Sequence, residues 1–289
     1  MNETQPSPYD TNDYYADNAS GSRLSPALDG VLHVFDRQRV RSVLRGTGLA
    51  TGKVLDVGAG DGKFLHYMQA EGFAVHGTTT SRRSANAAHA LFDIRLDVTP
   101  ELDGELAYAP FDLVTYWHVF EHLDDPASHV RHWHALVRPA GYVVIEVPNI
   151  RSIGARLCYR SWLGSDDAHH VNHQEPASIL RMLDDAGFDP VRSEFFSAKF
   201  SFVFLWSALL GRLFGRHYDF DGIMAILKQP SRMLRDRPIW TANALAAVVY
   251  LAPIVIVLIV RGVAAGNGEV FRVFARRRGD AANAGGGPS

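Results

Sequence analysis

The amino-acid sequence predicts an α/β fold, a mostly parallel sheet with helices on both faces. Three observations predict it. Short apolar runs alternate with stretches of helical periodicity from residue 53 to about residue 197, the order that parallel strands joined by crossover helices require. The first run, Val54-Leu55-Asp56-Val57, enters a glycine turn, Gly58-Ala59-Gly60-Asp61-Gly62, and then a helical segment. With 289 residues, 47% of them hydrophobic and 21% charged, the chain has enough apolar surface for a sizeable core.

Each element follows from its own residues. Residues 1–27 are polar and carry Pro, Ser, Asn and Gly, so they read as a flexible arm. Between residues 28 and 45, Val31, Val34, Phe35, Val43 and Leu44 recur at helical spacing. Strands are expected over 53–57, 73–77, 94–96, 111–116, 142–147 and 190–196. Helices are expected to start near Gly62, Ser81, Val119, Pro126 and Pro176. After Lys199 the composition changes: 200–214 is almost wholly apolar, and 242–260 is apolar without a charge. Residues 269–277 alternate like a strand, and the Gly/Ala-rich tail 279–289 reads as disordered.

Composition also excludes. A formal net charge of −2 opposes a nucleic-acid partner. One cysteine, Cys158, excludes an internal disulfide framework and a cysteine-based zinc site. The first fifteen residues hold no apolar core of a secretory signal, so the catalytic part is expected in the cytoplasm.

The glycine turn carries the most chemistry. Glycines accept positive φ and let a ligand approach the backbone, and the amides opening the next helix suit an anion. A dinucleotide turn is G-x-G-x-x-G. Here Lys63 stands where its last glycine would be, and the spacing is G-x-G-x-G. Asp56, two residues before the first glycine, suits a cationic amino group better than a pyrophosphate.

This segment resembles the first motif of the class I methyltransferases that use S-adenosylmethionine (SAM). The similarity continues through Phe111-Asp112-Leu113-Val114-Thr115-Tyr116-Trp117-His118-Val119-Phe120-Glu121-His122 and Leu136-Val137-Arg138-Pro139-Ala140-Gly141-Tyr142. It extends to Val147-Pro148-Asn149, His169-His170-Val171-Asn172-His173 and Ala186-Gly187-Phe188, which match a bacterial subgroup. The resemblance covers roughly residues 28–197. It implies a Rossmann-like sheet of seven strands, mostly parallel with an antiparallel last strand, and SAM as cofactor. It also implies that Gly58, Ala59, Gly60 and Gly62 line the methionine end of SAM and that Asp56 fixes the turn and the amino group. Asp97 would face adenine, and Tyr116, Trp117 and His118 would border the methyl-transfer site.

One position departs from the family. The second strand usually ends in an acid that accepts both ribose hydroxyls, and here Thr79 stands there. A hydroxyl replaces a bidentate anion, at a cost of about 1.5–3 kcal/mol of binding. Arg82 and Arg83 follow, as in folds that hold a 2′-phosphate, so an NADP-dependent oxidoreductase is the alternative reading. A non-catalytic SAM-binding protein is the other, suggested by Thr79 and by Ala140 in place of a glycine.

The acceptor chemistry is expected from histidines. Alignment supplies much of the rate of an in-line methyl displacement, and an oxygen acceptor gains from a base near neutral pH. His122, His118 and His170 are the candidates, His122 first. His118, Glu121 and His122 at i, i+3 and i+4 would share a helical face and offer a divalent-metal site, similar to the E-x-x-E-H of metal-assisted ubiquinone-pathway and small-RNA methyltransferases.

The expected organisation is a methyltransferase domain over 28–199, a hydrophobic helical insert over 200–266 and the last strand over 267–278. If 190–196 and 269–277 pair, both ends of the insert emerge on the same side of any membrane. With Arg212, Arg216, Lys228, Arg232, Arg235 and Arg237 between the apolar segments, inner-leaflet contact is expected rather than a crossing. A buried helical subdomain or a dimer interface is the competing reading. The expected substrate is a small molecule or a lipid-linked acceptor.

Overall fold

The computed structural model describes residues 26–99, 108–165, 170–173, 175–215 and 230–279. Arm residues 1–25, His169 and most of the tail lie outside them. Seven strands form one sheet in the order β3-β2-β1-β4-β5-β7-β6. They are β1 Lys53–Val57, β2 Ala74–Thr79, β3 Asp97–Val98, β4 Phe111–Trp117, β5 Val137–Pro148, β6 Phe188–Glu194 and β7 Val270–Arg277. β1 to β5 pair in parallel, and β7 lies antiparallel between β5 and β6. The expected Rossmann-like sheet with an inverted last strand is what forms.

Helices α1 Pro26–Thr47, α2 Lys63–Ala70 and α3 Arg82–Phe92 precede β4; α4 Pro126–Leu136, α5 Ile153–Cys158 and α6 Pro176–Asp185 follow it. Local chemistry sets their starts. The Ser81 hydroxyl accepts the Ser84 amide at 3.2 Å, and the Asp125 carboxylate accepts the Ser128 amide at 3.0 Å, each satisfying an orphan donor of the first turn. One apolar layer, with Val40, Phe64, Leu65, Met68 and Trp117, packs between the sheet and α1 to α3. The other, with Val114, Tyr116, Trp133, Ile179 and Phe271, packs under α4 and α6.

Three expectations about elements change. Residues 94–96 lead into the third strand, which pairs only over Asp97–Val98. No α-helix starts at Val119: Phe120–His122 is a single 3₁₀ turn, because His118 takes φ 55° and turns the chain out of helical direction. β5 starts five residues before 142 and passes through Ala140 at φ 62°.

Among the described residues the hydrophobic insert holds α7 Phe200–Phe214, α8 Pro230–Asp236 and α9 Pro238–Ala264. Its two long helices differ. Leu205, Trp206, Ala208 and Leu210 of α7 are buried against α5, the 3₁₀ turn Tyr159–Ser161 and α9. That burial, worth about 1.5–3 kcal/mol for each large side chain, makes most of α7 an interior helix of a subdomain. Among its described residues α9 buries a narrow seam, Thr241, Ala244, Ala247, Val255 and Gly262. Among the described residues no single helix is long and apolar enough to cross a membrane; Pro238–Ala247 and Val249–Ala264 reach that length only as a pair bent by 45°.

Candidate cofactor and acceptor site

The site lies where β1 and β4 end side by side. Asp56 is opposite Thr115 in the parallel register, and the Thr115 hydroxyl donates to Asp56 Oδ1 at 2.6 Å. Burial pushes the Asp56 carboxyl up to about 7, against the opposing effects of the Thr115 bond and the Arg39 charge. Beyond β1 the turn closes through Ala59 N to Thr78 O at 2.8 Å and Gly62 N to Ala59 O at 2.9 Å. Gly58 at φ 67° lies so close to Val119 that a Cβ would meet its side chain at 2.5 Å. Gly60 also has positive φ, but a Cβ there would meet nothing within 4 Å. The backbone therefore borders open space at Gly60, which is the room a ligand needs to approach this turn.

The opposite wall is aromatic and cationic. Trp117 ends β4, packs edge-on against Phe64 with centroids 5.1 Å apart, and carries the Arg39 guanidinium 4.4 Å above its ring. The Trp117 Nε1 is buried with no hydrogen-bond partner among the described residues. Arg39 projects from α1, which is tied to the turn's helix by Asp36 and Lys63 at 2.7 Å. Alternation along β4 sends Tyr116 to the other face. There its hydroxyl accepts from Trp133 Nε1 at 2.7 Å inside the core, and burial holds the phenol well above its usual range. Tyr116, expected to border the methyl-transfer site, is thus a core residue.

Thr79 is buried at the end of β2, and its hydroxyl accepts the Ser81 amide at 3.2 Å, so it serves the turn into α3. Asp97 is exposed on the edge strand, beside Thr78 in register. Arg82 and Arg83 are exposed at the start of α3.

Beneath the cleft runs a buried chain of charges. Glu146 in β5 and Arg272 in β7 are register partners, and Arg272 Nε donates to Glu146 Oε2 at 2.8 Å. Arg39 Nη2 donates to the other oxygen at 3.1 Å, and Arg272 Nη1 reaches Glu194 at 2.7 Å. Burial would raise the Glu146 carboxyl, but the two arginines and His118 hold it well below the carboxylate range. His118 lies between Glu146 Oε1 (3.2 Å from Nε2) and Glu121 Oε1 (3.4 Å from Nδ1). Burial pulls its imidazole down, and the two carboxylates outweigh this so that the net shift is upward. Phe200, opening α7, covers the His118 ring with centroids 4.1 Å apart.

The expected helical face of His118, Glu121 and His122 does not form, since His118 precedes the 3₁₀ turn and faces Glu146. A different trio converges: one ligand atom from each of Glu121, His122 and His170 lies within 4.8 Å of the others. Asn172 brings His170 there, its amide donating to Glu121 O at 3.1 Å and its side chain to Leu123 O. His170 Nδ1 lies 3.0 Å from Gly164 O, so this nitrogen carries the donated proton and Nε2 faces Glu121 Oε1 at 3.9 Å. His173 lies edge-on to the His170 ring, with centroids 5.6 Å apart, and its Nε2 is 2.8 Å from the Tyr159 hydroxyl.

Sequence reasoning missed Arg39, Glu146, Arg272 and Phe200. Glu146 and Arg272 carried a legible signal: each is a charge with apolar residues on both sides of it in a strand, and buried charges demand partners. Arg39 and Phe200 carried none, because tertiary packing alone brings α1 and α7 to the cleft.

A parallel sheet with an inverted seventh strand, a G-x-G-x-G turn after an acidic strand end, and open space at that turn together define a SAM-dependent methyltransferase. The comparisons agree, and the chain belongs to the methyltransferase family: a family model described as a methyltransferase domain matches residues 28–193. A ubiquinone biosynthesis O-methyltransferase of Thiobacillus denitrificans is 31% identical over 171 residues, covering 55% of this chain and 73% of that protein. A protein of the same name from Chromobacterium violaceum is 34% identical over 170 residues, covering 54% and 72%. Among solved structures, a SAM-dependent methyltransferase of Archaeoglobus fulgidus aligns with TM-score 0.53 at 20% identity, covering 92% of this chain and all of that one. The [4+2]-cyclase SpnF aligns with TM-score 0.55 at 18% identity, covering 93% of each. A cyclase on this fold means that the reaction must be argued from the site. The family finding decides against the NADP-dependent oxidoreductase.

Proposed function

We propose that this enzyme methylates an oxygen of a small molecule, and that the acceptor is lipid-linked and taken from the inner leaflet of a membrane. The observation that carries the oxygen assignment is the convergence of Glu121, His122 and His170 beyond the end of β4, supported by the names of the two O-methyltransferase relatives. The structure's residues fit SAM. Gly58, Ala59, Gly60 and Gly62 would border its methionine end, Asp56 would fix the turn and face the ammonium, and Arg39 over Trp117 offers a cation for the carboxylate. Thr79 and Asp97 would flank the ribose and adenine.

When bound, SAM supplies an electrophilic methyl on a sulfonium. The chain's own task is to align the acceptor oxygen and accept its proton. His122 and His170, set T-shaped with ring centroids 4.8 Å apart, are the bases in reach of an acceptor at the end of β4. His118, fixed by Glu121 and Glu146, positions this wall rather than taking the proton. Incubating purified protein with SAM and hydroxyaryl acceptors should give S-adenosylhomocysteine. Asp56→Asn should weaken SAM binding in calorimetry, whereas His122→Ala should lower kcat and leave SAM affinity intact. Folded protein that binds neither SAM nor its demethylated product overturns this reading.

The same trio supports a second reading, a divalent cation held by Glu121, His122 and His170. With its Nδ1 proton on Gly164, His170 turns a lone pair toward a carboxylate, an arrangement that a proton or a metal ion relieves. Imidazole-rich donor sets suit zinc, iron or nickel better than magnesium. Full activity in metal-free protein removes this reading.

A further inference from the structure

We infer that the outward face of α9, with the arginines at its ends, is the surface by which this protein lies on an anionic lipid leaflet. The inference deepens the lipid-linked reading above and rests on it for its purpose.

Once α9 has packed its seam on α7, its other side stays apolar. Ile239, Val249 and Tyr250 are 78%, 72% and 80% exposed, and Ile256, Val257 and Val260 are more than half exposed. From Pro238 to Val260 no residue is charged. Apolar groups of this size gathered on one helix face, rather than scattered singly, mark a surface made for a partner. Arginines stand at both ends. Arg237 precedes the helix and Arg261 closes the run, while α8 adds Arg232 and Arg235 against a single acid, Asp236, which pairs with Arg232.

Charge placement selects lipid over a second copy of the chain. Two such faces brought together would set like-charged ends near one another, with Asp236 the one acid of the described residues of α8 and α9 and already paired with Arg232, whereas anionic headgroups complement both ends at once. The topology selects a helix lying in the plane. α9 is joined to β7 by the short loop 265–269 at one end and packs on the buried α7, so neither end is free to reach the far side of a bilayer. A stretch of 23 uncharged residues is about 35 Å long, and the 45° bend lets both halves follow a shallow surface. The leaflet contact is also connected to the chemistry: α7 spans from the seam of α9 to His118, on which its Phe200 rests.

Vesicle sedimentation tests this with the full chain. Wild-type protein should sediment with vesicles of equal parts phosphatidylcholine and phosphatidylglycerol and much less with phosphatidylcholine alone. Arg235→Ala with Arg237→Ala should weaken anionic binding about 30-fold, as two surface arginines at about 1 kcal/mol each require. Val249→Asp with Val257→Asp, both at exposed positions, should abolish binding while the melting temperature and SAM affinity remain those of wild type. Folded wild-type protein that stays in the supernatant with both vesicles overturns the inference. So does retention of the double aspartate variant on vesicles, or a dimer in solution that this variant separates. SAM calorimetry on the same samples reads the methyltransferase assignment independently, so either can fail alone.

Discussion

Two positions show how much one side chain decides. Thr79 stands where the family places an acid, and its hydroxyl is already engaged by the Ser81 amide. An aspartate can accept that same amide and leave its second oxygen for the ribose. Thr79→Asp is therefore expected to tighten SAM binding by about 1.5–3 kcal/mol, roughly tenfold or more, read as a lower Kd in calorimetry. An unchanged Kd would show that the ribose lies elsewhere. Ala140 takes φ 62° in the turn that leads β5 into the sheet core. A side chain in that left-handed region costs roughly 1–2 kcal/mol, so Ala140→Gly is expected to raise stability by about 1 kcal/mol in denaturant unfolding, less the entropy that glycine gains in the unfolded chain. The glycine turn and Asp56 were legible as residues because local conformation dictates them. Tyr116 was misread because motif position does not say which face of a strand a residue takes.

At the scale of elements, the pairing of β5 with β7 joins the sheet to the site. Glu146 holds Arg272 across that pairing, Arg39 of α1 from above and His118, just beyond β4, from the side. Removing the carboxylate takes away the acid that Arg39 pairs with and leaves Arg272 with Glu194 alone. Glu146→Gln is expected to cost about 3–5 kcal/mol of stability and to loosen α1 over Trp117, visible as faster amide exchange in that helix. Arg39→Ala should loosen α1 while leaving the β5–β7 pair intact. If Glu146→Gln melts as wild type does, the network contributes no stability. The insert follows a similar division. Its apolar composition was evident in the sequence, yet α7 and α9 have nearly the same composition and opposite fates. One is sealed under α5 and Trp162, and the other covers only a seam.

For the whole molecule, pH sets stability through carboxyls sealed away from water. Glu269 immediately precedes β7 where the insert rejoins the sheet, accepts Gly154 N at 2.9 Å and Trp162 Nε1 at 2.7 Å, and is pushed by burial from 4.5 to about 7. The folded chain thus holds this proton more tightly than the unfolded chain does. Its contribution is full below about 4.5, falls as pH rises to about 7, and is flat above, a change of about 3 kcal/mol. Asp56, shifted from 3.8 to about 7, acts in the same direction. The melting temperature is therefore expected to be higher near pH 5 than near pH 8, and Glu269→Gln should reduce that difference; a melting temperature that rises over this range would contradict the burial of both groups. The sequence by itself determined the fold class, the glycine turn and the presence of a hydrophobic insert, because each is written in local spacing and periodicity, and the resemblance of its ordered motifs to the methyltransferases implied the cofactor. Only the tertiary structure decided which histidines meet Glu121, that Arg39 and Phe200 wall the cleft, and which insert helix keeps an open apolar face. Those depend on contacts between residues far apart in the chain, whose partners no local pattern names.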